Sequence, residues 1–96
     1  MKIDFNKEGG NLNVAIDGRL DTTTAPALEE FFGKNSDGAC TTVIDCKGLS
    51  YVSSAGLRVL LATHKKTKGK MKLKNVCDVV MEVFEITGFA DIFEIE

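Results

Sequence analysis

The chain has no tryptophan and only one proline, one histidine and one tyrosine among its 96 residues, and each shortage closes off a chemistry. With His64 as the lone imidazole, no Ser/His/Asp set is legible. Ser54 does not stand in a G-x-S-x-G elbow either, because Val52 occupies the first glycine position. Neither G-x-x-x-x-G-K-[ST] nor G-x-G-x-x-G occurs: Gly33-Lys34 lacks an upstream glycine loop, and Gly9-Gly10 reads as a turn. Cys40, Cys46 and Cys77 are odd in number and lack C-x-x-C spacing, so they indicate neither a disulfide framework nor a zinc site and read as small buried hydrophobes. No stretch approaches the ~20 apolar residues of a membrane span. Met1-Lys2-Ile3-Asp4 leads into polar sequence without the apolar core of a leader. The expectation is a cytoplasmic protein with no membrane insertion, no catalytic residues, no metal and no cofactor.

What is present describes one small soluble domain over residues 1–96. Apolar residues make up 44% of the chain and charged ones 27%, with a net charge of −2, enough apolar content for one core and too few residues for two. Lysines gather at Lys65, Lys66, Lys68, Lys70, Lys72 and Lys74. Without interleaved aromatics, and in an acidic chain, that run reads as a solvated helix end and strand face, with no direct nucleic-acid partner.

Ile3 and Phe5 alternate with polar residues, as do Leu12, Val14 and Ile16 beyond Glu8-Gly9-Gly10-Asn11, which predicts a β-hairpin. Thr22, Thr23 and Thr24 before Ala25-Pro26 supply hydroxyl caps and a first-turn proline. Leu28, Phe31 and Phe32 then share one helix face, and Gly33 with Asn35-Ser36-Asp37-Gly38 should stop that helix. Thr41 to Cys46 is β-branched and has Val43 beside Ile44, so it should be a mid-sheet strand covered at least partly on both faces. A second helix is expected from Ala55 to about Lys66 with Leu57, Leu60, Leu61 and His64 on one side. Met71 and Leu73 form a short strand. Val76, Val79, Val80, Val83 and Phe84 mark a third helix ending at Gly88, and Ile92, Phe93 and Ile95 a last strand. The order β-β-α-β-α-β-α-β implies a small α/β domain with a mixed sheet and about three helices.

The segment Gly48 to Gly56 should lie beyond the carboxyl end of the Thr41–Cys46 strand, where such sheets carry their functional loops. Ser54 sits where a helix begins. A hydroxyl there either caps the helix or accepts a phosphate, which the free backbone N–H groups and the helix dipole stabilise. Gly56 is a poor helix former, and close approach of another backbone or molecule would explain it. Asp21 before the threonines fits an ordinary helix-cap turn as well as a docking loop. Arg58 is either a solvated helix residue or a contact to a partner or a phosphate. Of Tyr51 and Val52, one should fill the core.

Gly18-Arg19-Leu20-Asp21, Val43-Ile44-Asp45 and Leu49-Ser50-Tyr51-Val52-Ser53-Ser54-Ala55-Gly56-Leu57 together resemble a STAS domain of the anti-sigma-factor-antagonist type. The resemblance implies a non-enzymatic switch, monomeric when free. Its unmodified form binds an anti-sigma-factor serine kinase and frees a sigma factor; phosphorylation ends that binding, and a PP2C-type phosphatase restores it. The modified serine maps onto Ser54. Ser53 stands where the family has aspartate and is the competing acceptor. Docking positions implied or inferred are Asp21, Thr22, Thr23, Ser53, Ala55, Gly56 and Arg58. Service as a STAS partner of an ABC transporter ATPase, or as scaffold of another signalling assembly, is the alternative.

Overall fold

Gly9 and Gly10 both hold positive φ, +58° and +84°, and so close a two-residue turn whose twist matches the strands it joins. Strand β1 (Lys2–Glu8) accordingly runs antiparallel to β2 (Asn11–Leu20), with Glu8 opposite Asn11. The computed structural model describes residues 1–35 and 41–96. After β2 come α1 (Ala25–Asn35), β3 (Thr41–Val52), α2 (Ser54–Lys66), β4 (Met71–Lys74), α3 (Asp78–Thr87), a single 3₁₀ turn (Phe89–Asp91) and β5 (Glu94–Ile95). The order is the expected one, with the 3₁₀ turn added.

The strands lie in the order β1-β2-β3-β4-β5, and β2 to β5 are mutually parallel. Because these parallel strands neighbour one another in chain order, right-handed crossovers put α1, α2 and α3 on the same face of the sheet. The core forms between that face and the helices, from Leu12, Val14, Ile16, Ile44, Leu49 and Leu73 below and Leu28, Phe32, Leu60, Val80 and Phe84 above. Middle strand β3 buries Ile44 completely under the helices, while Val43 on the opposite, open face is half-buried. Of the apolar pairs read from helical spacing, Leu61 and Val83 are only half-buried and Val79 is exposed; Val59 and Thr63 are buried instead.

Strand β3 does not end at Cys46. It continues through Gly48 to Val52, so most of the expected functional loop is sheet. Two register shifts against β2, between Ala15 and Asp17 and between Gly18 and Arg19, each add a residue to β3. Its buried positions therefore fall at Thr42, Ile44, Cys46, Leu49 and Val52, which breaks the period of two on which a strand is recognised. Gly48 sits at the first shift, where the Asp17 carboxylate fills the space a Cβ would take.

Helix α1 likewise runs through Gly33 to Asn35, whose side-chain amide donates to the Phe31 carbonyl at 2.9 Å. The remainder of the expected stop, Ser36-Asp37-Gly38, and Cys40 lie outside the described residues. Only Glu94 and Ile95 pair as the last strand; Ile92 is exposed, and Phe93 turns inward against His64, Phe84 and Phe89. Cys46 behaves as a buried apolar residue, its thiol pushed up to about 12 by burial. Cys77 is half-buried, with its thiol 3.5 Å from the Leu49 carbonyl.

Candidate functional site

Strands β2 and β3 end side by side, and the two helices that follow them start at the same end of the sheet. The Ser53 N–H donates to the Leu20 carbonyl at 2.9 Å and holds those ends level. What differs is how each helix start is finished.

At α1 the first-turn donors are taken by backbone: Pro26 has no N–H, and the Ala25 and Ala27 N–H groups bond the Asp21 and Thr24 carbonyls at 2.7 and 3.1 Å. Side chains close the turn that leads into the helix. The Asp21 carboxylate accepts from the Thr23 N–H at 3.0 Å, the Thr23 hydroxyl at 2.7 Å and the Thr24 N–H at 3.2 Å. The Thr24 hydroxyl accepts from the Asp21 N–H and donates to the Arg19 carbonyl, both at 2.8 Å. The Thr23 hydroxyl, aided by the backbone donors, holds the Asp21 carboxyl below its ordinary 3.8. Asp21 also faces the Arg19 guanidinium at 3.7 Å, and that guanidinium stacks 4.2 Å above the Tyr51 ring. The geometry of Asp21 is thus that of a capping turn. Tyr51 is half-buried on the rim and Val52 is the core member of the pair.

At α2 the cap position belongs to Ser53, with extended backbone (φ −100°, ψ 177°), and Ser54 is the first helical residue. Neither serine supplies the capping bond. The Ser53 hydroxyl is buried and has no hydrogen-bond partner among the described residues, whereas Ser54 is exposed. The Leu57 N–H bonds the Ser53 carbonyl at 2.9 Å, so the N–H groups of Ser54, Ala55 and Gly56 are those that helix geometry leaves without an internal partner. No acidic side chain occupies the first turn, and His64, Lys65 and Lys66 sit in the last. The start of α2 therefore keeps its partial positive charge unspent.

Gly56 is buried, and its close approach is internal. A Cβ there would lie 2.6 Å from Leu20 Cγ and 3.0 Å from the Leu20 carbonyl oxygen. Of the two explanations, another backbone or another molecule, the structure shows the first: the glycine lets α2 settle on β2. Ala55, half-buried, and Arg58, exposed, instead line a shallow groove of about 190 Å³ together with Thr22, Ala25, Pro26, Glu29 and Val59. The structure so brings Thr22, Ala55 and Arg58 together beside Ser54 and leaves Asp21 and Thr23 bonded to each other. Pro26 and Glu29, which sequence reasoning passed over as site residues, form the α1 wall of the groove. Among the described residues no group of three or more His, Cys, Asp or Glu side chains is placed to hold a metal ion.

Residues 2–96 match the STAS domain family. The chain belongs to that family. It is 32% identical over 98 residues to an anti-sigma-B factor antagonist of Bacillus subtilis, covering 99% of this chain and 90% of that one. A crystal structure of an anti-sigma factor antagonist from Mycobacterium paratuberculosis superimposes with a TM-score of 0.86 at 26% identity, over 98% of this chain and 83% of that one. The unphosphorylated form of the antagonist SpoIIAA shares the fold, with a TM-score of 0.83 at 16% identity over 99% of this chain and 88% of that one. This STAS domain is thus the expected small α/β fold. Among the described residues no helix is long and apolar enough to cross a membrane.

Proposed function

We propose that this STAS domain is an anti-sigma-factor antagonist switched by phosphorylation of Ser54. In its unmodified state it docks an anti-sigma-factor serine kinase through the surface around Ser54, Thr22, Ala55 and Arg58, and a sigma factor is released from that kinase. The kinase then transfers the γ-phosphoryl group of ATP to Ser54 Oγ, the bond to ADP breaks, the hydroxyl proton leaves, and binding ends. A PP2C-type phosphatase hydrolyses the phosphoserine and resets the switch. The names of the relatives support the class of partner. The observation that carries the choice of residue is the contrast between an exposed Ser54 and a Ser53 whose hydroxyl is buried.

The physics of α2 agrees with a switch that spares the fold. Phosphorylation adds about −1.5 to −2 charges. Free N–H groups and a first turn without acids accommodate that charge, so the domain keeps its shape while its surface changes. A partner carboxylate about 4 Å away would meet up to roughly 4 kcal/mol of repulsion per unit charge at an effective dielectric of about 20. That repulsion amounts to about a thousandfold in affinity.

The test is to incubate the protein and ATP with candidate ATP-dependent serine kinases and to map the phosphoryl group by peptide mass spectrometry. Label on Ser54 is expected. Label on Ser53 alone would refute the site, and stable binding of a transporter ATPase with no kinase partner would refute the function.

A further inference from the structure

The sheet has two edges, and only one of them is long. β5 offers Glu94 and Ile95, whereas β1 offers the seven residues Lys2–Glu8, with no strand of the described residues beyond it. Natural edges are blunted by proline, by a bulge or by a covering element. β1 contains no proline, pairs residue for residue with β2, and is exposed throughout except at half-buried Ile3. It also shows Phe5 at 51% exposure, with its ring centroid 4.9 Å from that of Phe31 on α1.

Which main-chain groups face outward follows from the hairpin. The pair that closes a two-residue loop, here Glu8 and Asn11, exchanges both of its hydrogen bonds, and such pairs recur at every second residue. Lys2, Asp4 and Asn6 therefore also bond inward to β2, and the N–H and C=O groups of Ile3, Phe5 and Lys7 point away from the sheet. The side chains of these three lie on the helix side, as the contact of Phe5 with Phe31 shows, and those of Lys2, Asp4, Asn6 and Glu8 on the open side.

Two copies of this edge fit each other in one register. Antiparallel pairing about a two-fold axis must set outward residues opposite outward residues. With Phe5 opposite Phe5, Ile3 of each copy faces Lys7 of the other, the whole of Lys2–Glu8 is paired, and Lys2 falls opposite Glu8 at both ends. Asp4 falls opposite Asn6, whose amide N–H groups are left to donate because its oxygen accepts from Asn13 Nδ2 at 3.1 Å. The two neighbouring registers of the same parity set Asp4 opposite Asp4 or opposite Glu8, which like charge disfavours.

We propose that β1 is a self-association edge, through which two copies of this chain pair antiparallel about Phe5 into one continuous sheet, with Lys2 of each copy against Glu8 of the other. The two Phe5 rings then meet on the helix side, each backed by its own Phe31. This departs from the single free chain that the family resemblance implies. β2 separates the edge from β3 and from the Ser54 that follows it, so the inference does not depend on the function proposed above.

Sedimentation equilibrium of the full chain at about 0.01 M salt, where charges act over ~30 Å, reads the pairing directly. The fitted mass should rise with concentration toward twice 10.4 kDa and stop there, because β5 offers no second edge of comparable length. Lys2→Glu and Glu8→Lys should each weaken association at least about tenfold, by setting like charges opposite at both ends. Their equimolar mixture restores both ion pairs and should associate as the wild type does. Lys7→Pro, which removes an outward N–H and no bond to β2, should remain single while keeping its β-sheet circular dichroism. A wild-type chain that stays single up to about 1 mM overturns the proposal. So does association that either charge reversal or Lys7→Pro leaves unchanged, a mass that climbs past two chains, or a mixture that fails to associate although the wild type does.

Discussion

The starts of α1 and α2 stand next to each other at one end of the sheet and are built on opposite terms. The carbonyls of Asp21 and Thr24 take the Ala25 and Ala27 donors of the first, and the Asp21 carboxylate and Thr24 hydroxyl close the turn that leads into it. The second has a serine in the cap position whose hydroxyl bonds nothing among the described residues, and beside it an exposed serine. A helix start with satisfied donors is a structural joint; one with unspent donors and no acids has room for an added anion. The contrast gives Asp21 and Thr24 a structural part and supports the switch proposed at Ser54.

The sharpest way to break it is at Ser54. Ser54→Asp should weaken kinase binding by up to about a thousandfold, the effect of one unit of charge at contact distance. Ser54→Ala should bind as the wild type does and take no phosphate. Calorimetric titration of both variants checks this, and equal affinities would remove the charge switch. Next in size, Gly56→Ala should destabilise the fold by about 1–3 kcal/mol, because the added methyl meets fully buried Leu20. Urea unfolding measures that loss, and an unchanged midpoint would show that the joint between α2 and β2 can open.

Thr24→Ala should lose about 1 kcal/mol by the same measurement, since it deletes a donor and an acceptor of the α1 joint. Asp21 brings a pH dependence with a definite sign. Its carboxyl is held below 3.8 in the fold, so its contribution is present above that value and fades as pH falls through the depressed one. Melting temperatures of the wild type and Asp21→Asn should differ at neutral pH and converge in acid; a gap that widens in acid would contradict the capping role. The smallest effect belongs to Ser53→Ala, which removes a buried hydroxyl without a partner and should be neutral or slightly stabilising. A cost as large as that of Thr24→Ala would mean that Ser53 caps α2 after all.

Much of the fold was legible because its signals are local. Gly9-Gly10 between two alternating runs specified the hairpin, the threonines before Ala25-Pro26 opened α1, and Gly88 closed α3 in the left-handed conformation. The reading failed where geometry interrupts periodicity. The bulges of β3 shift the inward residue by one each time, so Gly48 to Val52 read as a loop. Of the docking positions expected from the sequence, Thr22, Ala55 and Arg58 meet in one groove. Glu29 and Pro26 were missed because the α1 wall exists only once the two helices pack.

By itself, then, the sequence determined the order of the elements, the mixed sheet with its three helices, and the motif that carries the family. These depend on neighbours along the chain and on chirality rules common to all such sheets. Only the tertiary structure decided which of two adjacent serines keeps its hydroxyl in solvent and what Gly56 is for. The exposure of a side chain and the room beside a glycine depend on what distant residues do, here Leu20 on the neighbouring strand, and no spacing within Val52-Ser53-Ser54-Ala55-Gly56 records that contact.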